Sequence, residues 1–434
     1  MGIYFGTDGL RGIYGEVISP SIAYKVGNSL AHQCKTKQII LGRDTRRSSD
    51  ILSLSFASGI MSQGVNVIDV GTVPTPVVAY LAKLHKFDFG VVISASHNPK
   101  NYNGIKIFDC DGYKISEELE AEIERKIIYS TEVGGDKVGK YCYRPTLVRE
   151  YKKNILSEFP DLCGLKIILD MANGASYQIA RDLFSRAGAK ILPLNYSNSG
   201  KKINLKCGAL YPEVISQAVQ DYGADMGFAF DGDADRIIAC DENGKIIDGD
   251  DILYVLSKKL KSGDKVVGTS MTNKGLEEAL KKRGINLLRA DVGDKYVVKE
   301  MKNHSATVGG EPAGHIINSK FSTTGDGVLT AMMIASIAKT NKKPLSKIAN
   351  LKHFPQVNIN VEVVDKYRLL NSDLLSSEIL KAQKECGQNG RILVRASGTE
   401  NKIRIMSEHK NPAKAELYAK RLEKIVKNIE KTKT

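Results

Sequence analysis

The run Phe87-Asp88-Phe89-Gly90-Val91-Val92-Ile93 passes directly into Ser94-Ala95-Ser96-His97-Asn98-Pro99. An apolar strand that ends in a small, polar, proline-stopped loop is how α/β proteins present chemistry at the carboxyl end of a strand. The pattern returns further along: Ala224-Asp225-Met226-Gly227-Phe228-Ala229-Phe230 leads into Asp231-Gly232-Asp233-Ala234-Asp235-Arg236. The first loop offers a serine nucleophile. The second offers three carboxylates at spacing two, a donor set for a hard divalent cation. Together they suggest phosphoryl transfer through a phosphoserine, assisted by magnesium. If the carboxylate loop is extended and turning, alternate side chains face one side and can converge on one ion.

Strand–loop–helix units recur outward from these two stretches. Lys37-Gln38-Ile39-Ile40-Leu41 runs into Gly42-Arg43-Asp44-Thr45-Arg46. Leu165-Lys166-Ile167-Ile168-Leu169 runs into Asp170-Met171-Ala172-Asn173-Gly174. Asp264-Lys265-Val266-Val267-Gly268 runs into Thr269-Ser270-Met271-Thr272-Asn273. Each is followed by a helical stretch and a second strand that ends in a functional loop. The expectation is three related α/β domains with mixed sheets, each giving one loop to a central cleft. Ser19-Pro20 reads as a helix start, and Tyr418, Leu422, Ile425 and Ile429 read as the apolar stripe of a basic terminal helix.

Bulk properties narrow the function classes. The 434 residues suggest several domains. No apolar run reaches the roughly 18 residues of a membrane span, and no signal peptide is read at the start. Cys34, Cys110, Cys142, Cys163, Cys207, Cys240 and Cys386 are scattered without a CxxC pair, which reads as reduced thiols in a cytoplasmic protein. The net charge of +14 is spread along helices without an arginine-rich block. It favours a positive field for an anionic substrate over nucleic-acid binding.

Two decoys fall on inspection. An EF-hand would place Glu242 at the twelfth position, but Arg236 stands where glycine is required, and Ile237-Ile238-Ala239-Cys240 reads as a strand. Gly134-Gly135-Asp136-Lys137-Val138-Gly139-Lys140-Tyr141 nearly spells a P-loop, but Tyr141 replaces the magnesium-binding hydroxyl.

Two further loops join the first pair: Gly309-Gly310-Glu311-Pro312-Ala313-Gly314-His315 and Arg395-Ala396-Ser397-Gly398-Thr399-Glu400. With these four, the chain resembles the α-D-phosphohexomutases over essentially its whole length. Phe5-Gly6-Thr7-Asp8-Gly9-Leu10-Arg11-Gly12 and Val292-Gly293-Asp294-Lys295-Tyr296-Val297 point to the bacterial phosphoglucosamine mutase branch. The resemblance implies four domains: 1–145 with the serine loop, 146–247 with the carboxylate loop, 248–354 with a sugar loop, and a smaller α+β domain, 355–434, with a phosphate loop.

It further implies that Ser96 carries the phosphoryl group, with Lys106 and Arg11 beside it. Magnesium is held by Asp231, Asp233, Asp235 and a phosphoserine oxygen, and Arg236 reaches the same phosphate. Glu311 and His315 contact the sugar, and Arg395, Ser397, Gly398, Thr399 and Arg404 grip a phosphate. His315, His97 and Lys106 are the candidate acid–base groups. The implied reaction interconverts glucosamine 6-phosphate and glucosamine 1-phosphate through a hexosamine or hexose 1,6-bisphosphate, feeding UDP-N-acetylglucosamine and cell-wall precursor synthesis; a phosphomannomutase or phosphoglucomutase is the alternative. The expected partner is a small phosphosugar rather than nucleic acid or membrane, and a homodimer is admitted. Pro312 and Ala313 replace the Gln-Ser of the branch's usual Gly-Glu-Gln-Ser-Gly-His, which removes one hydroxyl from the sugar loop.

Overall fold

One strand arrangement occurs three times. In the first sheet, Gln38–Arg43 lies between parallel Asn66–Thr72 and parallel Phe89–Ile93, and the latter pairs antiparallel with Tyr102–Asp109. In the second, Lys166–Asp170 lies between parallel Lys190–Leu194 and Met226–Phe230, which pairs antiparallel with Ile237–Asp241. In the third, Lys265–Thr269 lies between parallel Asn286–Ala290 and Val308–Gly310, which pairs antiparallel with Ile316–Asn318. Strands covered on both faces must be apolar throughout. Accordingly Ile39, Ile40, Leu41, Ile167, Ile168, Leu169, Val266 and Val267 are all fully buried.

The turn between the third and fourth strand of each repeat carries the polar residues singled out above: Ser94 to Pro99, Asp231 to Arg236, and Glu311 to His315. Because the repeat places this turn identically, three such turns arise at the carboxyl ends of parallel strands, where open α/β sheets bind ligands.

The computed structural model describes residues 4–6, 8–129, 136–397 and 400–431. Its chain divides into two compact units, Met1–Thr272 with Gly284–Asn350, and Asn273–Arg283 with Leu351–Thr434. The first holds the three repeats. Its sheets are mixed, with Phe5–Gly6, Gly9–Ile13 and Tyr141–Tyr143 at the edges of the first and Ile246–Ile247 at an edge of the second. Ser19 caps the helix Pro20–Ala31, accepting from the Ile22 amide. Within the near-P-loop segment, Tyr141 begins an edge strand, and Gly134 and Gly135 lie outside the described residues.

The second unit has an antiparallel sheet ordered Gln356–Glu362, Lys402–His409, Gly390–Ala396. The helix Pro412–Lys431 buries Tyr418 and Leu422 in this unit's core and half-buries Ile425 and Ile429, the stripe expected from the sequence. Among the described residues, no helix is long and apolar enough to cross a membrane.

Candidate active site

Ser96 is buried and sits at φ 50°, in the left-handed region that a residue with a Cβ adopts at a cost. The surroundings over-determine that conformation. The Ser96 amide donates to Ser94 Oγ at 2.9 Å, and Ser94 Oγ donates to Asp44 Oδ2 at 2.7 Å. Arg46, fully buried against Asp44 with Nε to Oδ2 at 2.9 Å, sends its Nη2 to the carbonyls of Ser96 (2.9 Å) and Asn98 (2.8 Å). Its Nη1 reaches the carbonyls of Tyr102, at 3.0 Å, and Pro99. The loop Gly42 to Arg46, which reads in the sequence only as a strand end, is thus the floor of the serine loop.

The carboxylate loop turns as expected, though more tightly than an extended segment, with Ala234 at φ 55°. Asp231, Asp233 and Asp235 converge, one oxygen from each lying within 4.8 Å of the others. Ser96 Oγ donates to Asp231 Oδ2 at 2.5 Å, so the two loops meet at the serine. Gly232 makes this approach possible, since a Cβ there would stand 2.5 Å from the Ser96 carbonyl oxygen. Lys106 Nζ lies 2.8 Å from Asp233 Oδ2, 2.7 Å from Asp235 Oδ2 and 3.3 Å from Asp8. Thr75 Oγ1 donates to Asp233 Oδ2 at 2.6 Å.

The charges in this cluster do not balance. Burial, with Asp235 and Asp233 beside it, pushes the Asp231 carboxyl well above the usual range. Asp235 is held well below that range, because Lys106, His315 and Arg236 outweigh its burial. Lys106 is buried, yet Asp233, Asp235 and Asp8 hold its ammonium charged, well above the ordinary lysine value. Asp233 Oδ1 and Asp235 Oδ1 are buried and have no hydrogen-bond partner among the described residues. Two orphaned carboxylate oxygens within an all-oxygen cluster are the donor set of a divalent cation, so these residues fit a metal.

The third repeat closes the site. His315 Nδ1 is 3.8 Å from Asp235 Oδ1, and its Nε2 is 3.6 Å from Asp294 Oδ2 and accepts from the Gly325 amide at 3.0 Å. Burial lowers the His315 pKa, but Asp235, Asp294 and Glu311 raise it by more. Lys114 Nζ bridges Asp294 and Asp8, each at 2.5 Å. Asp235, Lys106, Asp8, Lys114 and Asp294 therefore form a chain of alternating charge, and His315 joins its two ends through all three repeats. Glu311 Oε1 accepts from the Gly293 amide at 3.1 Å, tying the sugar loop to the Val292 to Val297 stretch.

Arg11 Nη1 donates to Asn98 Oδ1 at 3.0 Å and pairs with Asp8. The Arg236 Nε is 4.0 Å from Asp235 Oδ1. The Nε atoms of Arg11 and Arg236 are both buried without a hydrogen-bond partner among the described residues. His97 Nδ1 is 3.4 Å from Ser96 Oγ, and burial with Arg236 and Arg11 nearby lowers its pKa to about 4. The structure thus gathers Ser96, His97, Lys106, Arg11, the three aspartates, Arg236, Glu311 and His315 in one place. Asp8, Asp44, Arg46, Lys114 and Asp294 belong to the same network and escaped the sequence reading. Asp8 and Asp294 lie in the quoted stretches and are acidic among apolar or small neighbours, which is the signal that could have found them.

In the second unit, Arg404 Nη2 donates to Ser397 Oγ at 3.2 Å. Arg404 Nη2 also lies 3.4 Å from Glu400 Oε2, whereas the Arg395 pKa is lowered by burial and by the Arg404 guanidinium, a strain that an anion beside Arg395 would relieve. Buried Lys366 Nζ donates to the carbonyls of Ser397 (2.7 Å) and Glu400 (3.1 Å). Gly398 and Thr399 lie outside the described residues.

This arrangement agrees with the matches to known families. Models of phosphoglucomutase/phosphomannomutase alpha/beta/alpha domains I, II and III match residues 2–133, 148–244 and 248–354, and that family's C-terminal domain matches 359–425. The chain belongs to the phosphoglucomutase/phosphomannomutase family. Among the family's members, the phosphoglucosamine mutase of Finegoldia magna is 42% identical, over 98% of this chain and 98% of its own length. That of Bacillus subtilis is 41% identical over 99% of each. A phosphoglucomutase/phosphomannomutase family protein from Burkholderia thailandensis shares the fold with TM-score 0.85 at 22% identity, covering 98% of both chains. Aspergillus fumigatus N-acetylphosphoglucosamine mutase, solved with GlcNAc-6P and magnesium, shares it with TM-score 0.70 at 18% identity, covering 99% of this chain and 96% of its own.

Proposed function

We propose that the protein is a phosphoglucosamine mutase that interconverts glucosamine 6-phosphate and glucosamine 1-phosphate through phosphorylated Ser96. The observation that carries this reading is the meeting of Ser96 Oγ with the Asp231 carboxylate in a buried cluster that has two orphaned acidic oxygens. The full-length identity to phosphoglucosamine mutases selects the sugar.

Asp231, Asp233, Asp235 and the phosphoryl oxygens of Ser96 would hold magnesium, which would neutralise phosphate charge during transfer. The phosphoryl group leaves Ser96 Oγ for the free hydroxyl of the sugar phosphate and gives a 1,6-bisphosphate. The other phosphoryl group then returns to Ser96 Oγ, and the isomer departs. Arg11 and Arg236, each with a buried Nε that makes no hydrogen bond among the described residues, supply cationic donors for phosphate. Lys106 stays charged between its carboxylates and serves as a fixed countercharge rather than a base. His97, neutral above a pKa of about 4 and near Ser96 Oγ, is the group able to take and return a proton there. Glu311 and His315 receive the sugar hydroxyls. Moving a phosphoryl group between two positions also requires a grip for the phosphate that is not in transfer. Arg395, Ser397, Gly398, Thr399 and Arg404 carry the donors for one.

A coupled assay with glucosamine, glucose and mannose phosphates tests the sugar. We expect glucosamine phosphate to be preferred, with side activity on glucose phosphate. The exposed Ala313 lacks the usual serine hydroxyl, a contact that contributes roughly 0.5–1.5 kcal/mol. Ala313→Ser should sharpen the preference. Ser96→Ala should lower turnover by about a thousandfold or more, and near-normal turnover in that variant would remove Ser96 as the carrier.

A further inference from the structure

Ser96 and Asn98 direct their carbonyl oxygens to one spot, and two side chains meet them there. One is Arg46 of the first repeat, described above. The other is Asn204 of the second repeat, whose Nδ2 donates to Ser96 O at 2.8 Å and to Asn98 O at 3.0 Å. Asn204 is buried and holds a left-handed backbone at φ 56°, while its amide donates to the Ala172 carbonyl at 2.9 Å. It belongs to an irregular segment between the strand Lys190–Leu194 and the helix Glu213–Tyr222. This segment lies hard against the floor of the serine loop. A Cβ on its Gly200 would stand 2.2 Å from the Thr45 carbonyl oxygen, and Thr45 Oγ1 donates to the Asn173 carbonyl at 2.6 Å.

We infer that Asn204 is a positioning residue for phosphoryl transfer: from the second repeat it holds the serine loop's carbonyls and so fixes where Ser96 Oγ points. The backbone of Ser96 is left-handed, and such a conformation persists only where neighbours over-determine it. Its N–H is fixed by Ser94 from within the first repeat. Its C=O is shared between repeats. Arg46 alone leaves the loop tied to its own sheet, whereas Asn204 ties it to the sheet that carries Asp231, the partner of Ser96 Oγ. The hydroxyl and the carboxylates must be registered to a fraction of an ångström for in-line transfer, and a misplacement of about 1 Å costs on the order of a hundredfold. Asn204 makes the backbone of the serine loop, and with it this registration, depend directly on the second repeat.

The inference rests on Ser96 being the phosphoryl carrier, and the experiment separates the two. Asn204→Gly removes the donor and tolerates the positive φ. Asn204→Asp keeps the shape and replaces the donor with an acceptor. Either variant decides the matter if only one folds, as judged by its thermal midpoint. For each we would measure kcat and KM for glucosamine 6-phosphate, and the rate at which glucose 1,6-bisphosphate phosphorylates Ser96, by peptide mass spectrometry. The expected result is a fall of about tenfold or more in both kcat and the phosphorylation rate, with KM within about twofold of the parent. A folded variant that keeps both rates within twofold, or that changes KM alone, overturns the role of Asn204 and leaves Ser96 untouched. Turnover by the parent chain with no phosphate on Ser96 overturns the carrier role itself.

Discussion

The serine loop and the carboxylate loop occupy the same turn of two equivalent repeats, and they are built in opposite ways. In the serine loop the groups that hold Ser96 are partnered: the Ser96 amide has Ser94, its carbonyl has Arg46 and Asn204, and Arg46 is matched by Asp44. In the carboxylate loop two acidic oxygens are left without a hydrogen bond and one carboxyl is driven toward its neutral form. One loop spends its interactions on fixing a strained serine. The other is left with unfilled acceptors, as the ligand set of a cation would be.

The contrast can be broken where it is strongest. Arg46→Leu leaves Asp44 buried without its countercharge, and removal of one partner from a buried pair costs about 3–5 kcal/mol. Urea unfolding should show a loss of that size. A loss under about 1 kcal/mol would mean that the floor of the serine loop relaxes freely.

The carboxylate loop has a different weakness. The helix Gly327–Asn341 starts against it, its first amide donating to the Ala234 carbonyl at 3.0 Å. The cap of that helix is Asp326, which accepts from the Leu329 amide at 3.0 Å and from Tyr151 Oη at 2.8 Å. Burial raises the Asp326 pKa from its ordinary 3.8 to about 6. Its folded value lies above its unfolded value, so its stabilising contribution is complete below about pH 4 and is lost as pH rises through about 6. At about 1.4 kcal/mol per unit, roughly 3 kcal/mol goes across that window. Unfolding midpoints between pH 4 and 8 should show this decline, and Asp326→Asn should flatten it.

The smallest effect is expected at the crowded carboxylates. Asp231→Asn mimics the neutral form that burial already favours. In chelator the variant should match the parent or gain about 1 kcal/mol, because repulsion among the three acids falls. Added magnesium should stabilise the parent but not the variant. Equal stabilisation of both by magnesium would place the ion elsewhere.

These differences mark what could be read in the sequence. The three repeats were legible because doubly covered strands must be apolar, and because Ser96-His97-Asn98-Pro99 and Asp231-Gly232-Asp233 are unusual sequels to such runs. Arg46, Asn204 and Lys366 were not legible. Each is an ordinary polar residue in sequence, and its meaning lies in carbonyls distant along the chain or across a loop. The carboxylate loop is legible in its residues and its turning course, but not in the tightness of that turn. Alanine gives no local signal for the left-handed backbone at Ala234, which brings the three side chains together.

Threefold repetition of one strand order also gives each of the three sheets a plain end. The loops that carry chemistry follow the carboxyl ends of the parallel strands. At the opposite ends, Gly164, Gly223 and Gly263 precede the strands Lys166–Asp170, Met226–Phe230 and Lys265–Thr269, and a side-chain atom added at any of these glycines meets nothing within 4 Å. Each of these glycines holds a positive φ, which a side chain adopts at a cost, so a spectroscopic label, an affinity peptide or a surface linker placed in those turns belongs on a neighbouring residue, away from the loops that meet at Ser96.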